Sequence, residues 1–205
     1  MREKVVGSIF KYIKSNKQLT EEEQDKIIYG LESIYILVTK LIIISIIAFL
    51  LHILKEMWIF LFIFNIIRTF ACGLHATKSY ICLIVSSLMF IGLPYLSKIA
   101  ILPIYIKVII GIVSTILLFK NSPADTYKKP IINMKRRKKL KFISTIISII
   151  FTILALFTPN FISNCLIFSL LLEVILSSPL TYKLFKLPYN NYLNYLERDE
   201  YNVLC

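Results

Sequence analysis

Residues 142–178 read FISTIISIIFTILALFTPNFISNCLIFSLLLEVILSS, and from Phe142 to Leu172 none of the 31 residues is charged. A membrane-spanning helix takes about 20 residues, within a range of roughly 17–25. The run is therefore too long for one helix, and Pro159-Asn160 supplies the turn that divides it into spans 142–158 and 161–178. Working outward, four more apolar runs of spanning length lie at 33–54, 57–74, 79–98 and 100–119. The second is interrupted by Arg68 and closes on Gly73, and the fourth contains Lys107. The expected fold class is all-α, a polytopic integral membrane protein of about six transmembrane helices. An amphipathic helical segment at 1–32 precedes the six-span domain at 33–178, and a tail at 179–205 follows it.

The composition agrees. Residues AVILMFWYC make up 57% of the 205 and charged residues 18%, against roughly 25% charged in a soluble domain; mean hydropathy is +0.73. These values exclude intrinsic disorder, a disulfide-held secreted mini-fold and an ordinary soluble enzyme. The length excludes a transporter with two six-span halves. A net charge of +12 would suggest nucleic acid in a soluble chain, but six apolar spans remove that reading. In a membrane protein the same excess fixes orientation and attracts anionic lipid. Of the 24 Lys and Arg residues, 19 fall in 1–32, 75–78, 120–141 and 179–205. That asymmetry predicts a multi-pass cell-membrane protein with both termini and the 120–141 loop in the cytoplasm. Trp58, Tyr95 and Tyr105 then sit near the outer interface.

At the N-terminus, Val6, Ile9, Phe10 and Ile13 recur at helical spacing beside lysines 11, 14 and 17. Such a helix either lies on a membrane surface or packs as half of a helical hairpin. Thr20 with Glu23 reads as a capping box opening a second helix through Asp25 and Lys26. Residues 1–32 lack the apolar core of a cleavable signal peptide.

The polar chemistry is sparse. Cys72, Cys82, Cys165 and Cys205 have neither C-x-x-C nor zinc-ligand spacing. No metal and no cofactor are expected. His52 lies at the outer end of the first span, an interfacial position. His75 lies in Arg68-Thr-Phe-Ala-Cys-Gly-Leu-His75-Ala-Thr-Lys-Ser-Tyr-Ile-Cys82, at the inner joint of the second and third spans. A thiol and an imidazole there can form a nucleophile–base pair: the thiolate attacks a carbonyl and the imidazole returns a proton to the leaving amine. On one continuous helix their Cα atoms would be about 10.5 Å apart, so cooperation requires a bend between them. Spacing by itself equally permits packing roles for both. Glu173, inside the last span, can orient His75, pair with Arg68 or reach the interface. The loop at 120–141 carries nine Lys/Arg and one acid, Asp125, for a net +8. Asp125, Lys128, Lys129, Lys135, Arg136, Arg137, Lys138 and Lys139 are its candidate contacts with substrate or anionic lipid.

The stretch Arg68 to Cys82 resembles the signature of the AgrB family, membrane-embedded cysteine peptidases of Gram-positive quorum sensing. The family pattern is an Arg, a small-Gly-Gly stretch, His-Ala, and a Cys seven residues after the His. Ala71, Gly73, His75-Ala76 and Cys82 fit it, while Cys72 stands where the family usually has Gly. Pro123-Ala-Asp-Thr126 and Lys128-Lys-Pro130 resemble the family's central cytoplasmic loop. The resemblance implies that Cys82 is the nucleophile and His75 the general base and acid, with Arg68, Gly73 and Glu173 as candidate supporting residues. It implies an AgrD-type propeptide as partner, cleaved near an acidic C-terminal region and cyclised to a thiolactone or lactone. A homodimer is a family expectation only. The rival reading is a non-catalytic membrane scaffold or peptide-export helper.

Overall fold

A computed structural model describes residues 2–16, 20–74, 79–126 and 130–193. The chain forms two compact units, Met1–His52 and Ile53–Cys205. In the first, α1 (Arg2–Asn16) packs on α2 (Glu21–Leu50). The expected capping box is present: the Thr20 backbone N–H donates to Glu23 Oε2 at 2.9 Å and the Glu23 N–H donates to Thr20 Oγ1 at 3.4 Å. The helix it opens does not stop before the first apolar run. It continues without a break for 30 residues, because nothing between Glu21 and Ile36 blocks a helix: there is no proline, and Gly30 has ordinary helical freedom. Amphipathic entry and apolar span are one element.

The second unit contains α3 (Leu54–Ala71), α4 (Ser79–Ile99), α5 (Ile104–Asn121), α6 (Met134–Phe157), α7 (Asn160–Ser177) and the short α8 (Pro179–Leu184). The turn expected at Pro159-Asn160 separates α6 from α7. Helix α7 is the hub and packs against α3, α4, α5 and α6. Every residue from Ser163 to Leu170 is buried, whereas the other helices expose apolar faces such as Phe62, Leu88, Ile116 and Phe157. A helix that is apolar all round belongs inside, and apolar outer faces belong in lipid. Among the described residues five helices, α2, α4, α5, α6 and α7, are long and apolar enough to cross a membrane. Helix α3 has the length, 18 residues, but includes Lys55, Glu56 and Arg68.

Small and hydroxylated side chains bring α5 and α6 together, as expected between helices in lipid. Thr115 and Ser148 hydroxyls are 2.8 Å apart, as are those of Ser122 and Ser144. At the same seam Gly111 faces Thr152, and a Cβ there would collide with the threonine side chain. Gly111→Ala should therefore lower the midpoint of thermal unfolding in detergent, through an overpacking cost of about 1–3 kcal/mol. Thr152→Ala in the same chain should restore part of it. An unchanged midpoint for the single variant would contradict this close approach.

Candidate functional site

The chain between α3 and α4 is pinned by an arginine. Arg68, in the last turn of α3, donates through Nη1 to the Cys72 carbonyl and through Nη2 to the Leu74 carbonyl, each at 2.6 Å. The same Nη1 lies 3.3 Å from Glu173 Oε1 on α7, whose side chain is fully buried. Local sequence makes this turn possible. Cys72 ends the helix with φ 59° and ψ −147°, and Gly73 follows at φ 125°. A Cβ at Gly73 would strike the Arg68 guanidinium and the Leu176 carbonyl, so glycine is needed for space as well as for conformation. Position 72 also takes a left-handed φ, which accounts for the glycine usual there in the pattern above; cysteine occupies it under strain.

The pinned strand is then fixed from two further sides. The Gly73 N–H donates to the Ala124 carbonyl at 2.8 Å and the Ala124 N–H to the Ala71 carbonyl at 3.0 Å, a single parallel bridge between Cys72 and Ala124. The Leu74 N–H donates to the Leu176 carbonyl at 2.9 Å. Residues 71–74 are thus tied to the end of α7 and to the chain after α5. His75 lies outside the described residues. Helix α4 begins at Ser79, which places Cys82 in its first turn, half-buried, with Sγ 4.0 Å from Ser86 Oγ one turn on. Helical side chains lean toward the helix start, so the Cys82 thiol leans toward the N-terminal end of α4. Helix α3 ends at Ala71, and the chain between His75 and the start of α4, where the expected bend would fall, lies outside the described residues.

Arg68 and Glu173, whose pairing was one of the alternatives the sequence left open, form one cluster with Gly73. The loop residues divide differently. Asp125 is buried, 3% exposed, and is a tie inside the protein rather than a group on the loop surface. Its carboxylate accepts from the Asn191 and Tyr192 N–H groups at 3.0 Å and from the Ile131 N–H at 3.4 Å, and it pairs with Arg137 at 3.5 Å. Its carbonyl accepts from the Tyr182 hydroxyl at 2.9 Å. Burial pushes the Tyr182 phenol well above its ordinary pKa, so it stays protonated and able to donate. Lys135, Arg136, Lys138 and Lys139 are exposed on the first turns of α6, while Lys128 and Lys129 lie outside the described residues. Tyr182, Asn191 and Tyr192 were not anticipated. The available signal was the lone acid of a strongly basic loop, which had to find partners somewhere. Among the described residues no group of three or more His, Cys, Asp and Glu side chains is placed to hold a metal, and Cys72, Cys82 and Cys165 are not joined in disulfides.

Comparison with known proteins agrees with this layout. The family model for Accessory gene regulator B, AgrB, matches residues 6–177. An AgrB-like protein of Clostridium acetobutylicum is 34% identical over 186 residues, 89% of each chain. One of Lactiplantibacillus plantarum is 31% identical over 86% of this chain and 89% of its own, and one of Listeria innocua is 37% identical over 85% and 86%. No solved structure matches the chain. The match extends from α1 to the end of α7, across the pinned turn, the first turn of α4 and the buried Asp125, and this multi-pass membrane protein therefore belongs to the AgrB family, whose role is the processing of quorum-sensing propeptides.

Proposed function

We propose that this protein is a cysteine endopeptidase that cuts an AgrD-type propeptide and passes the acyl group on to form a cyclic thiolactone or lactone. The observation that carries the reading is the pinned turn. Arg68, Gly73 and Glu173 fix the chain immediately before His75, and Cys82 opens the next helix. Catalysis gains most from groups held in place before substrate arrives. His75 takes the proton of the Cys82 thiol, and the thiolate adds to the scissile carbonyl carbon. The C–N bond breaks as His75 protonates the leaving amine, and a Cys82 thioester remains. A thiol or hydroxyl side chain of the bound peptide then attacks that thioester. Its proton goes to His75, the ring closes, and Cys82 leaves as thiolate. Passing the acyl group from one sulfur to another is nearly isoenergetic, whereas making a thioester directly from an amide is uphill. Cys82→Ala should abolish cleavage with the protein still in the membrane, while Ala at Cys72, Cys165 or Cys205 and Cys72→Gly should each leave processing intact. Product masses from co-expression with a propeptide decide it, and normal processing by Cys82→Ala would sink the assignment.

Orientation follows from the basic segments, taking α3 as the sixth span. Its charges sit at its ends: Glu56 pairs with Lys98 at 2.7 Å and Arg68 with Glu173, which leaves 57–67 uncharged. Both termini and 120–141 are then cytoplasmic. A cysteine introduced near residue 132 should resist an impermeant thiol reagent in intact cells, and one near residue 56 should react; the reverse pattern would overturn the orientation.

The exposed cations Lys135, Arg136 and Lys139 receive the acidic end of the propeptide. Exposed charge of this kind acts on encounter and register rather than on bond breaking. Lys135→Gln, Arg136→Gln and Lys139→Gln together should raise KM by about threefold or more and leave kcat nearly unchanged, since the contact is the same in ground and transition states. About 0.5 M salt should mimic the variant by shortening the screening length. Equal KM for acidic and charge-neutralised propeptides on the unaltered enzyme would remove this role.

A further inference from the structure

The end of α5, the start of α6 and residues 189–192 line an open-sided cavity of about 420 Å³. That volume lies within the range of about 300–1,000 Å³ typical of small-molecule sites. Lys120, Arg137, Lys138 and Lys141 line it together with Tyr189 and Tyr192, and no carboxylate does. Of the four cations, Arg137 alone has a carboxylate partner among the described residues, Asp125. That pairing and the Tyr192 ring, 3.6 Å below the guanidinium, hold Arg137 in one orientation. The Lys141 ammonium stands 4.7 Å from the centre of the Phe119 ring. Four cations lining one cavity repel one another, and an anion bound among them relieves that repulsion.

The surroundings identify the source of that anion. Ile112, Ile116 and Phe119 form an exposed apolar stripe along α5 that ends at Lys120. Phe142, Ile146 and Ile149 form another along α6 that begins directly after Lys141. Phe119 and Phe142, beside the cavity, are 58% and 67% exposed. Apolar side chains that open belong against acyl chains, so a lipid lying along either stripe brings its phosphate to the level of Lys120 and Lys141. A soluble acidic peptide would have no use for the stripes. We propose that this cavity binds the phosphodiester headgroup of an anionic membrane phospholipid, with Lys120, Lys138 and Lys141 as its charge contacts and Arg137 as a fixed donor. The proposal does not rest on the peptidase reading.

Two matched triple variants test it on the full chain purified in detergent. One replaces Lys120, Lys138 and Lys141 with Gln; the other replaces Lys135, Arg136 and Lys139, equal in charge but outside the cavity. Native mass spectrometry counts bound phosphatidylglycerol, phosphatidylcholine and soluble glycerol phosphate. The unaltered protein should retain phosphatidylglycerol over phosphatidylcholine. The cavity triple should weaken that retention by about tenfold or more, given several-fold per cation near an anionic surface, and the outer triple by less than about threefold. If the cavity triple does not fold, Lys138→Glu, an exposed position, gives the same readout. Equal losses in both triples would reduce the effect to diffuse charge and overturn the site. Binding of glycerol phosphate as tight as that of the lipid would make it a free-phosphate site and also overturn the assignment. So would capture of an acidic propeptide segment, lost in the cavity triple, with phosphatidylglycerol not retained.

Discussion

A guanidinium largely buried at the end of a helical bundle is costly unless acceptors surround it. Arg68 meets that demand with two main-chain carbonyls, from Cys72 and Leu74, and with the Glu173 carboxylate. The charge pair offsets the burial of each partner, and the carbonyls turn the arginine into a clamp on the chain that leaves α3. The geometry works only because residues 72 and 73 adopt left-handed φ, which points both carbonyls at one side chain. Removing Glu173 would leave a buried cation, a change that ordinarily costs about 3–5 kcal/mol. The turn before His75 is thus tied to the helices on either side of it.

A second buried pair repeats the device at the neighbouring loop. Asp125 with Arg137 draws the chain after α5, the start of α6 and residues 191–192 to one point. The two clusters are linked by backbone, since Ala124, next to Asp125, bridges to Cys72. In the basic loop one acid therefore organises the described segment, and Lys135, Arg136, Lys138 and Lys139 stay exposed.

The spans were legible because lipid imposes a coarse rule on composition and length. The uncharged stretch 142–172, divided at Pro159, yielded α7 and the apolar part of α6, whose helix begins earlier, at Met134 inside the expected basic loop. The capping box at Thr20 was legible because it is local. The merging of the N-terminal amphipathic segment into a 30-residue helix was not, since periodicity marks faces and says little about where a helix ends without a breaker. Arg68, Gly73 and Glu173 could be named from the cost of charge in apolar surroundings, but their convergence joins residues about a hundred positions apart, and no local pattern encodes it. Asp125 misled for a related reason. In a basic, proline-rich loop an acid reads as surface, yet the tail returns over it and supplies two N–H donors from residues that carry no signal of their own.

The placement of polar groups along the second unit bears on how the chemistry is reached. The Cys72–Ala124 bridge and the Leu74–Leu176 hydrogen bond put the C-terminal ends of α3, α5 and α7 together, and Arg137–Asp125 adds the start of α6. At the other end, Glu56–Lys98, Lys107–Asn160 at 3.2 Å and the Asn164 amide on the Ala100 carbonyl at 2.8 Å satisfy one another with no comparable excess of cations. Helix α4 ends beside Glu56, so its first turn, with Cys82, lies at the end where the basic groups collect. A peptide that is apolar in one part and acidic in another can therefore approach the thiol along a single surface. In the proposed reaction its apolar part stays in the interface while its charge meets the head of α6. Cleavage and ring closure on that proposal require no passage of charge through the bundle, and the buried ion pair at Arg68 holds the turn rather than opening a path.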